Sequence, residues 1–427
     1  MKLMNLIKEN RLFKNMGYLT ALQMTNYLFP LVTIPYLYRV IGIGGYGVLS
    51  LAQSVISYFV LLVNFGFYLS GPRLVAIHRE NKEKISEIFS TILIIKSILM
   101  LVSFFTITLL AASIPIMRVN FMAYFFTMLS LVGEVLFPAW FFQGMESMSY
   151  ITALNVVSKL IALVLLLITV RGPGDLNLAC AIQALSSVLA GIMAVFPIFF
   201  KYGVKLRMPE RGVLKSYMTE NWNLFLAQFS TSIFNNANPV LLGFFVSNTA
   251  VGYYAAADKA VRLVVSLISP VTTAVYPRAT RLFAKSTEQA LAFVKRVLTY
   301  GVFFFLAVSA ALFASAGLIT FLMTGRNVPE ITCIMRILSI IPTTIFINNI
   351  YGTQIMVNCG MEIKFRNIIL FCAVFLLGSS IILIKFYSAV GAGIASLLAE
   401  LLLAALMVLN IEGNKKLSLF KNGFKLT

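Results

Sequence analysis

The sequence predicts an all-α integral membrane protein, with twelve transmembrane helices in two six-helix lobes related by a parallel internal repeat. Three observations carry that expectation. Of the residues, 59% are hydrophobic and 11% are charged. Apolar stretches long enough to cross a bilayer recur along the whole chain, separated by short loops. Lys and Arg are concentrated in every second loop.

A hydrocarbon core of roughly 30 Å needs about 20 apolar residues per helical span. Spans are expected near 16–38, 48–70, 88–112, 119–141, 151–170, 177–200, 221–246, 251–275, 297–323, 331–357, 367–384 and 388–410. The first is too long for the apolar core of a cleavable signal and reads as an uncleaved span.

Charge sets the expected orientation. Lys2, Lys8, Arg11 and Lys14 precede span 1, and Arg73, Arg79, Lys82 and Lys84 follow span 2. Lys201, Lys205, Arg207, Arg211 and Lys215 follow span 6, and Arg278, Arg281, Lys285, Lys295 and Arg296 follow span 8. Lys364 and Arg366 follow span 10, and Lys415, Lys416, Lys421 and Lys425 follow span 12. The loop from Gln143 to Tyr150, after span 4, has no base. The opposite loops hold only Arg39, Arg118, Arg171, Arg326 and Lys385. Basic loops resist translocation, which predicts that the rich side and both termini are cytoplasmic.

A mean hydropathy of +0.91 excludes a soluble enzyme. The net charge of +19 is spread over six loop and terminal segments, so topology explains it and nucleic acid is not an expected partner. Those bases do lie where anionic membrane lipids attract them. Cys180, Cys333, Cys359 and Cys372 lack metal-ligand spacing and read as small residues in or beside spans. His78 lies in a basic loop with no nucleophile or acid partner evident, so no catalytic residue, metal or cofactor is expected.

The longest loop, Lys201 to Glu220, divides the chain into an N-terminal lobe (1–205), a linker (206–220) and a C-terminal lobe (221–427). The halves resemble each other. Gly47-Val48-Leu49-Ser50-Leu51-Ala52-Gln53 opens span 2, and Gly252-Tyr253-Tyr254-Ala255-Ala256-Ala257-Asp258 opens span 8, at an offset of 205 residues. Pro30 in span 1 has a counterpart in Pro239 in span 7. An even number of spans per half makes the repeat parallel, a common transporter design. Pro30, Pro35, Pro138, Pro239, Pro270 and Pro342 fall inside spans, and each removes a backbone donor. The two prolines of span 1 mark it as a bent, moving element, unless they are ordinary membrane-helix geometry. No loop is long enough for an extramembrane domain.

Gly42-Ile43-Gly44-Gly45-Tyr46-Gly47 matches G-x-G-x-x-G, but it joins two spans and the next acid is Glu80. A dinucleotide fingerprint needs a preceding strand and an acid about 20 residues on. The segment reads as a tight, close-packed turn.

The informative residues are charges inside spans. Lys96, Lys159, Lys259, Arg262 and Arg336 are basic; Glu134, Asp258 and Glu400 are acidic. Lys96 and Arg336 lie near span ends, where long side chains can snorkel to the interface, and Lys159 can do the same. Arg262 lies about 16 Å of helical rise into span 8. A charge centred in the bilayer costs about 2.5–3.5 kcal/mol on insertion scales, so a wet cavity or a partner is expected. Asp258, Lys259 and Arg262 are spaced to converge on one helix face. Together with Glu400 and Glu134 they are either internal ion pairs or the lining of a transport path. The excess of bases favours an anionic ligand. Trp140-Phe141-Phe142, at a span end, reads as an interfacial aromatic belt or, less simply, a sugar-stacking platform.

Several short runs together resemble a known family. They are Pro35-Tyr36-Leu37-Tyr38-Arg39-Val40-Ile41-Gly42, Gly45-Tyr46-Gly47-Val48-Leu49-Ser50-Leu51-Ala52-Gln53 and Asn64-Phe65-Gly66-Phe67 in the first half. Trp140-Phe141-Phe142-Gln143-Gly144-Met145-Glu146, Val251-Gly252-Tyr253-Tyr254 and Tyr276-Pro277-Arg278 continue the pattern. The chain resembles the polysaccharide transport family, the Wzx-type O-antigen flippases, within the multidrug, oligosaccharidyl-lipid and polysaccharide exporter superfamily. The resemblance implies two lobes around a central cavity, alternating access, and an undecaprenyl-diphosphate-linked oligosaccharide moved from the cytoplasmic to the periplasmic leaflet of the bacterial inner membrane. H+, Na+ or the substrate gradient alone are the candidate driving forces, and a polysaccharide polymerase and chain-length regulator are candidate pathway partners.

Lys259 and Arg262 are then candidates for diphosphate or acidic-sugar contact, with Arg39 and Lys159 as further cavity candidates. Asp258, Glu400 and Glu134 are candidates for coupling or ion pairing. The rival readings are a drug or cation exporter of the same superfamily, a lipid-II flippase and, from another class, a membrane polysaccharide polymerase.

Overall fold

A computed structural model describes residues 2–414 and 417–420, so the tail bases Lys415, Lys416, Lys421 and Lys425 lie outside the described residues. So do the side chains of Lys2, Lys8, Arg11, Lys14 and Arg211. Every regular element among the described residues is a helix. In chain order these are α1 (Lys2–Val40), α2 (Gly42–Asn64), α3 (Phe67–Ile77), α4 (Lys82–Ser113), α5 (Pro115–Val119) and α6 (Phe121–Met128). They continue with α7 (Ser130–Leu136), α8 (Ala139–Gly144), α9 (Met148–Thr169), α10 (Leu176–Phe196), α11 (Arg211–Phe245) and α12 (Asn248–Val265). The last are α13 (Ile268–Phe283), α14 (Thr287–Thr324), α15 (Pro329–Leu338), α16 (Ile341–Asn349) and α17 (Glu362–Glu412). Among the described residues nine helical segments are long and apolar enough to cross a bilayer. The chain is an all-α, multi-pass membrane protein. It clusters into two compact units, Met1–Ser232 and Ile233–Thr427, and the division falls inside α11.

In the first unit, α1 runs unbroken through Pro30 and Pro35. Only Ile41 separates it from α2. The glycine-rich hexapeptide is therefore not a loop. Gly42, at φ 74°, makes the turn, and Gly44, Gly45 and Gly47 lie in the opening turns of α2. Asn81 caps α4, its side chain accepting from the backbone N–H of Glu83 and Lys84 at 3.1 and 3.0 Å. The predicted span 4 is divided into α6, α7 and α8, with its main break at Phe137–Pro138, where proline cannot continue the ladder. Gly133 of α7 packs so closely on α10 that a Cβ there would lie 2.3 Å from the Ser187 carbonyl carbon. Residues before α11 are fixed to α4: Lys205 N–H donates to Ser86 Oγ at 3.1 Å and Arg207 N–H to Ser90 Oγ at 2.9 Å.

The aromatic run of α8 corrects the belt expectation. Trp140, Phe141 and Phe142 are 5%, 0% and 0% exposed, packed with Phe67, Phe89 and Ile151 in the core. Tyr150 stacks on Phe142 at 5.4 Å between ring centroids. Such large rings contribute more by burial in a protein core than at an interface when neighbouring helices enclose them.

In the second unit, helices again break within predicted spans, between α12 and α13 and between α15 and α16. α16 continues as a π-helix over Ile350–Val357. α17 contains Ser388 at φ 52°, ψ −131°, so it is two helical arms across a sharp break, close to the boundary expected between spans 11 and 12. A polar knot joins the arms to α11 and α12. Asn238 donates to Ser396 Oγ at 2.7 Å and to the Ala392 carbonyl at 3.1 Å, and accepts from Ser380 Oγ at 2.7 Å. Tyr254 OH lies 3.0 Å from Ser396 Oγ. In hydrocarbon these groups have no water to turn to, so pairing them with one another is what makes their burial tolerable.

Candidate functional site

The charged residues of α12 form one site in the second unit. One helical turn brings Arg262 Nε to 2.7 Å from Asp258 Oδ2, with the two side chains 39% and 15% exposed. Arg262 Nη1 also donates to Asn235 Oδ1 at 2.9 Å, and Nη2 makes a long 3.5 Å contact with the Asn235 carbonyl. That carbonyl is open to an outside donor because residue 239, four positions on, is a proline without an N–H. α17 brings Glu400 to the same place, and Asn348 of α16 donates to its Oε2 at 2.8 Å. Asp258, Arg262, Ser396 and Glu400 line one cavity of about 20 Å³. That is room for about one water molecule, far less than a sugar or a diphosphate needs. Lys259, the next residue of α12, is half-buried and outside that lining. The structure thus brings together three of the predicted residues, two acids and one base, with Arg262 engaged by Asp258 and Asn235.

The first unit holds Glu134, Lys96, Lys159 and Arg39. Lys96 does not snorkel, contrary to the sequence reading: it is 2% exposed, and its Nζ donates to the Glu134 main-chain carbonyl at 2.6 Å. The reason is again a proline. Pro138 stands four residues after Glu134 and cannot supply the helical N–H, so the ammonium takes its place. The Glu134 carboxylate accepts from Asn64 Nδ2 at 2.8 Å. Lys159 is half-buried and bonds Asn26 Oδ1 of α1. Arg39 is exposed at the C-terminal end of α1. Arg336, in the second unit, is exposed and lies 5.5 Å from the Phe313 ring centroid.

Sequence reasoning missed Asn64, Asn235 and Asn348, the amides that hold these charges. It also missed the role of Lys96. A usable signal was present: a proline four residues after an intramembrane residue predicts an open carbonyl that a neighbouring donor must meet.

Within the described residues no group of acids, histidines and cysteines is placed to hold a metal ion.

Helices broken by proline, polar knots and charges clustered inside apolar helices suit a membrane transporter. Solved structures agree on the fold. The lipid II flippase MurJ in an inward closed conformation aligns with a TM-score of 0.74 at 12% identity, covering 93% of this chain and 87% of that one. The inward-facing conformation of a multidrug resistance MATE family transporter of the MOP superfamily aligns at 0.70 and 16% identity, covering 89% and 96%. Residues 12–283 match the family described as "Polysaccharide biosynthesis protein", and the chain belongs to that family. A relative in Escherichia coli (strain K12), provisionally named an O-antigen transporter, is 26% identical over 95% of this chain and 97% of its own. The chain groups with transporters and not with enzymes, and its fold is that of the MOP superfamily structures it aligns with.

Proposed function

We propose that this chain moves an undecaprenyl-diphosphate-linked oligosaccharide, an O-antigen or related repeat unit, from the cytoplasmic to the periplasmic leaflet of a bacterial inner membrane. The observation that carries the reading is the Asp258–Arg262 pair with Glu400, inside apolar helices of the second unit. The family and the relative provisionally named an O-antigen transporter support the substrate class. A sugar hydroxyl moved into hydrocarbon without partners costs roughly 4–8 kcal/mol, and a diphosphate far more. A protein path that supplies hydrogen bonds and a base removes much of that barrier.

In this reading the lobes alternate access, and Arg262 is a gated anion ligand. Asp258 holds the guanidinium in the resting pair; released from it, the planar fork suits phosphate oxygens, and Asp258 and Glu400 are the candidate coupling residues. Lys259 adds charge on the same helix, and Arg39 and Lys159 are further candidates for substrate contact. Both termini lie in the cytoplasm, and a polysaccharide polymerase and chain-length regulator act on the product.

Two acids at one cavity also fit a cation or drug exporter. The two readings separate cleanly in a strain lacking its O-unit flippase. Expression of this chain restores surface polysaccharide if the first holds. Unchanged polysaccharide with raised resistance to cationic dyes supports the second.

A further inference from the structure

The first unit contains a second, uncharged cavity. It measures about 220 Å³ and is lined by Gln53 and Ser57 of α2, Thr127 and Ser130 of α6 and α7, and Cys180 and Gln183 of α10. Its lining has no Asp, Glu, Lys or Arg. At roughly 30 Å³ per liquid water, the space holds about seven waters, on the scale of a single sugar ring.

The repeat read from the sequence gives this cavity its meaning. The register that sets Gly47 against Gly252 also sets Gln53 against Asp258 and Ser57 against Arg262. In the first unit the cavity is walled by α2, α6–α7 and α10; in the second, the charged cavity is walled chiefly by α12, α16 and α17. In that sequence register the two cavities fall on corresponding helices, with neutral side chains in one and acidic and basic side chains in the other.

The polar groups are disposed to meet hydroxyls. Gln53 Nε2 donates to Gln183 Oε1 at 2.5 Å. The Gln183 amide nitrogen has no hydrogen-bond partner among the described residues. The hydroxyls of Ser57 and Ser130 donate to the backbone carbonyls of Ser54 and Thr127, which leaves their oxygen lone pairs to accept, while the Thr127 hydroxyl is shared between the Ala123 carbonyl and the Cys180 thiol. One amide donor among several acceptors suits a neutral polyol, since each sugar hydroxyl both donates and accepts. A bare cation would fit poorly in a cavity this large without a carboxylate.

We infer that the Gln53–Gln183 cavity is a binding site for a neutral sugar residue of the transported glycan. The inference rests on the transport reading above and assigns the uncharged part of the substrate to the first lobe. The test uses the full chain in lipid nanodiscs. The probe is the delipidated repeat-unit oligosaccharide released from the host's own surface polysaccharide, with inorganic diphosphate and radioactive sodium as comparison ligands. Saturable glycan binding is expected, weakened about tenfold by Gln183→Leu, which removes a half-buried hydrogen-bonding group. Ser57→Leu, which fills the cavity, weakens it as well, and diphosphate binding stays unchanged in both. No measurable glycan binding to the parent chain, unchanged binding in both variants, or loss of sodium binding instead of glycan binding overturns the proposal. Complementation separates the two failures. A parent chain that does not restore polysaccharide sinks the transport reading, whereas restoration by parent and Gln183→Leu alike, with unchanged glycan binding, sinks only this site.

Discussion

Arg262 and Asp258 are bound across one turn of α12, Nε to Oδ2 at 2.7 Å. The pair neutralises a charge that the bilayer interior would otherwise oppose. Asp258→Ala leaves the guanidinium with Asn235 alone. We expect a loss of about 1–3 kcal/mol, below the 3–5 kcal/mol of a fully buried pair because Arg262 is 39% exposed. The double variant Asp258→Ala/Arg262→Met, with no orphan charge, should recover folded protein. Thermal melting in detergent reads both, and a double variant no more stable than Asp258→Ala contradicts the pairing.

Lys96 and Pro138 are coupled through the Glu134 carbonyl. Lys96→Met keeps the packing but removes the donor, and should cost about 1–3 kcal/mol, the penalty for a buried unsatisfied acceptor. In a Pro138→Ala background a backbone N–H is restored, so the same substitution should cost clearly less. Equal costs in the two backgrounds would show that Lys96 acts in some other way.

Gly133 allows α7 and α10 to touch. A Cβ at 2.3 Å from the Ser187 carbonyl carbon meets backbone, which cannot rotate away. Gly133→Ala should cost about 1–3 kcal/mol, as overpacking does. Gly317, whose Cβ would meet nothing within 4 Å, is the control and should tolerate Ala. A Gly133→Ala variant as stable as the parent would rule out this contact.

Ser388 breaks α17 with φ 52° and ψ −131°, a conformation that suits glycine. Ser388→Gly should therefore be neutral or stabilising by up to about 1 kcal/mol, while Ser388→Val should destabilise. The opposite order in thermal melting would mean that the arms meet differently.

Much of the fold was legible because bilayer physics is written in composition. Runs of apolar residues located the helical segments around Ile107, Leu166 and Leu312. What was not legible depended on neighbours distant in the chain. Nothing around Trp140 announces that Phe67, Phe89 and Ile151 will enclose it, so position alone suggested a belt. Lys96 sits where snorkelling is possible, and only the proline four residues after Glu134 reveals the demand it meets. At the site, spacing joined Asp258 to Arg262, but the helix pairing that brings Glu400 and Asn348 beside them is tertiary. Gln53 and Gln183 carry no charge, so no intramembrane charge marks their cavity in the sequence.

The most direct measurement is surface polysaccharide in a flippase-deficient host carrying Arg262→Ala at parent expression and parent melting temperature. We expect the parent chain to restore the polymer and Arg262→Ala to abolish it, with Arg262→Lys giving partial transport because it keeps the charge and loses the fork. Polymer at the parent level from Arg262→Ala would contradict the account, leaving the pair with Asp258 as scaffolding rather than part of the path.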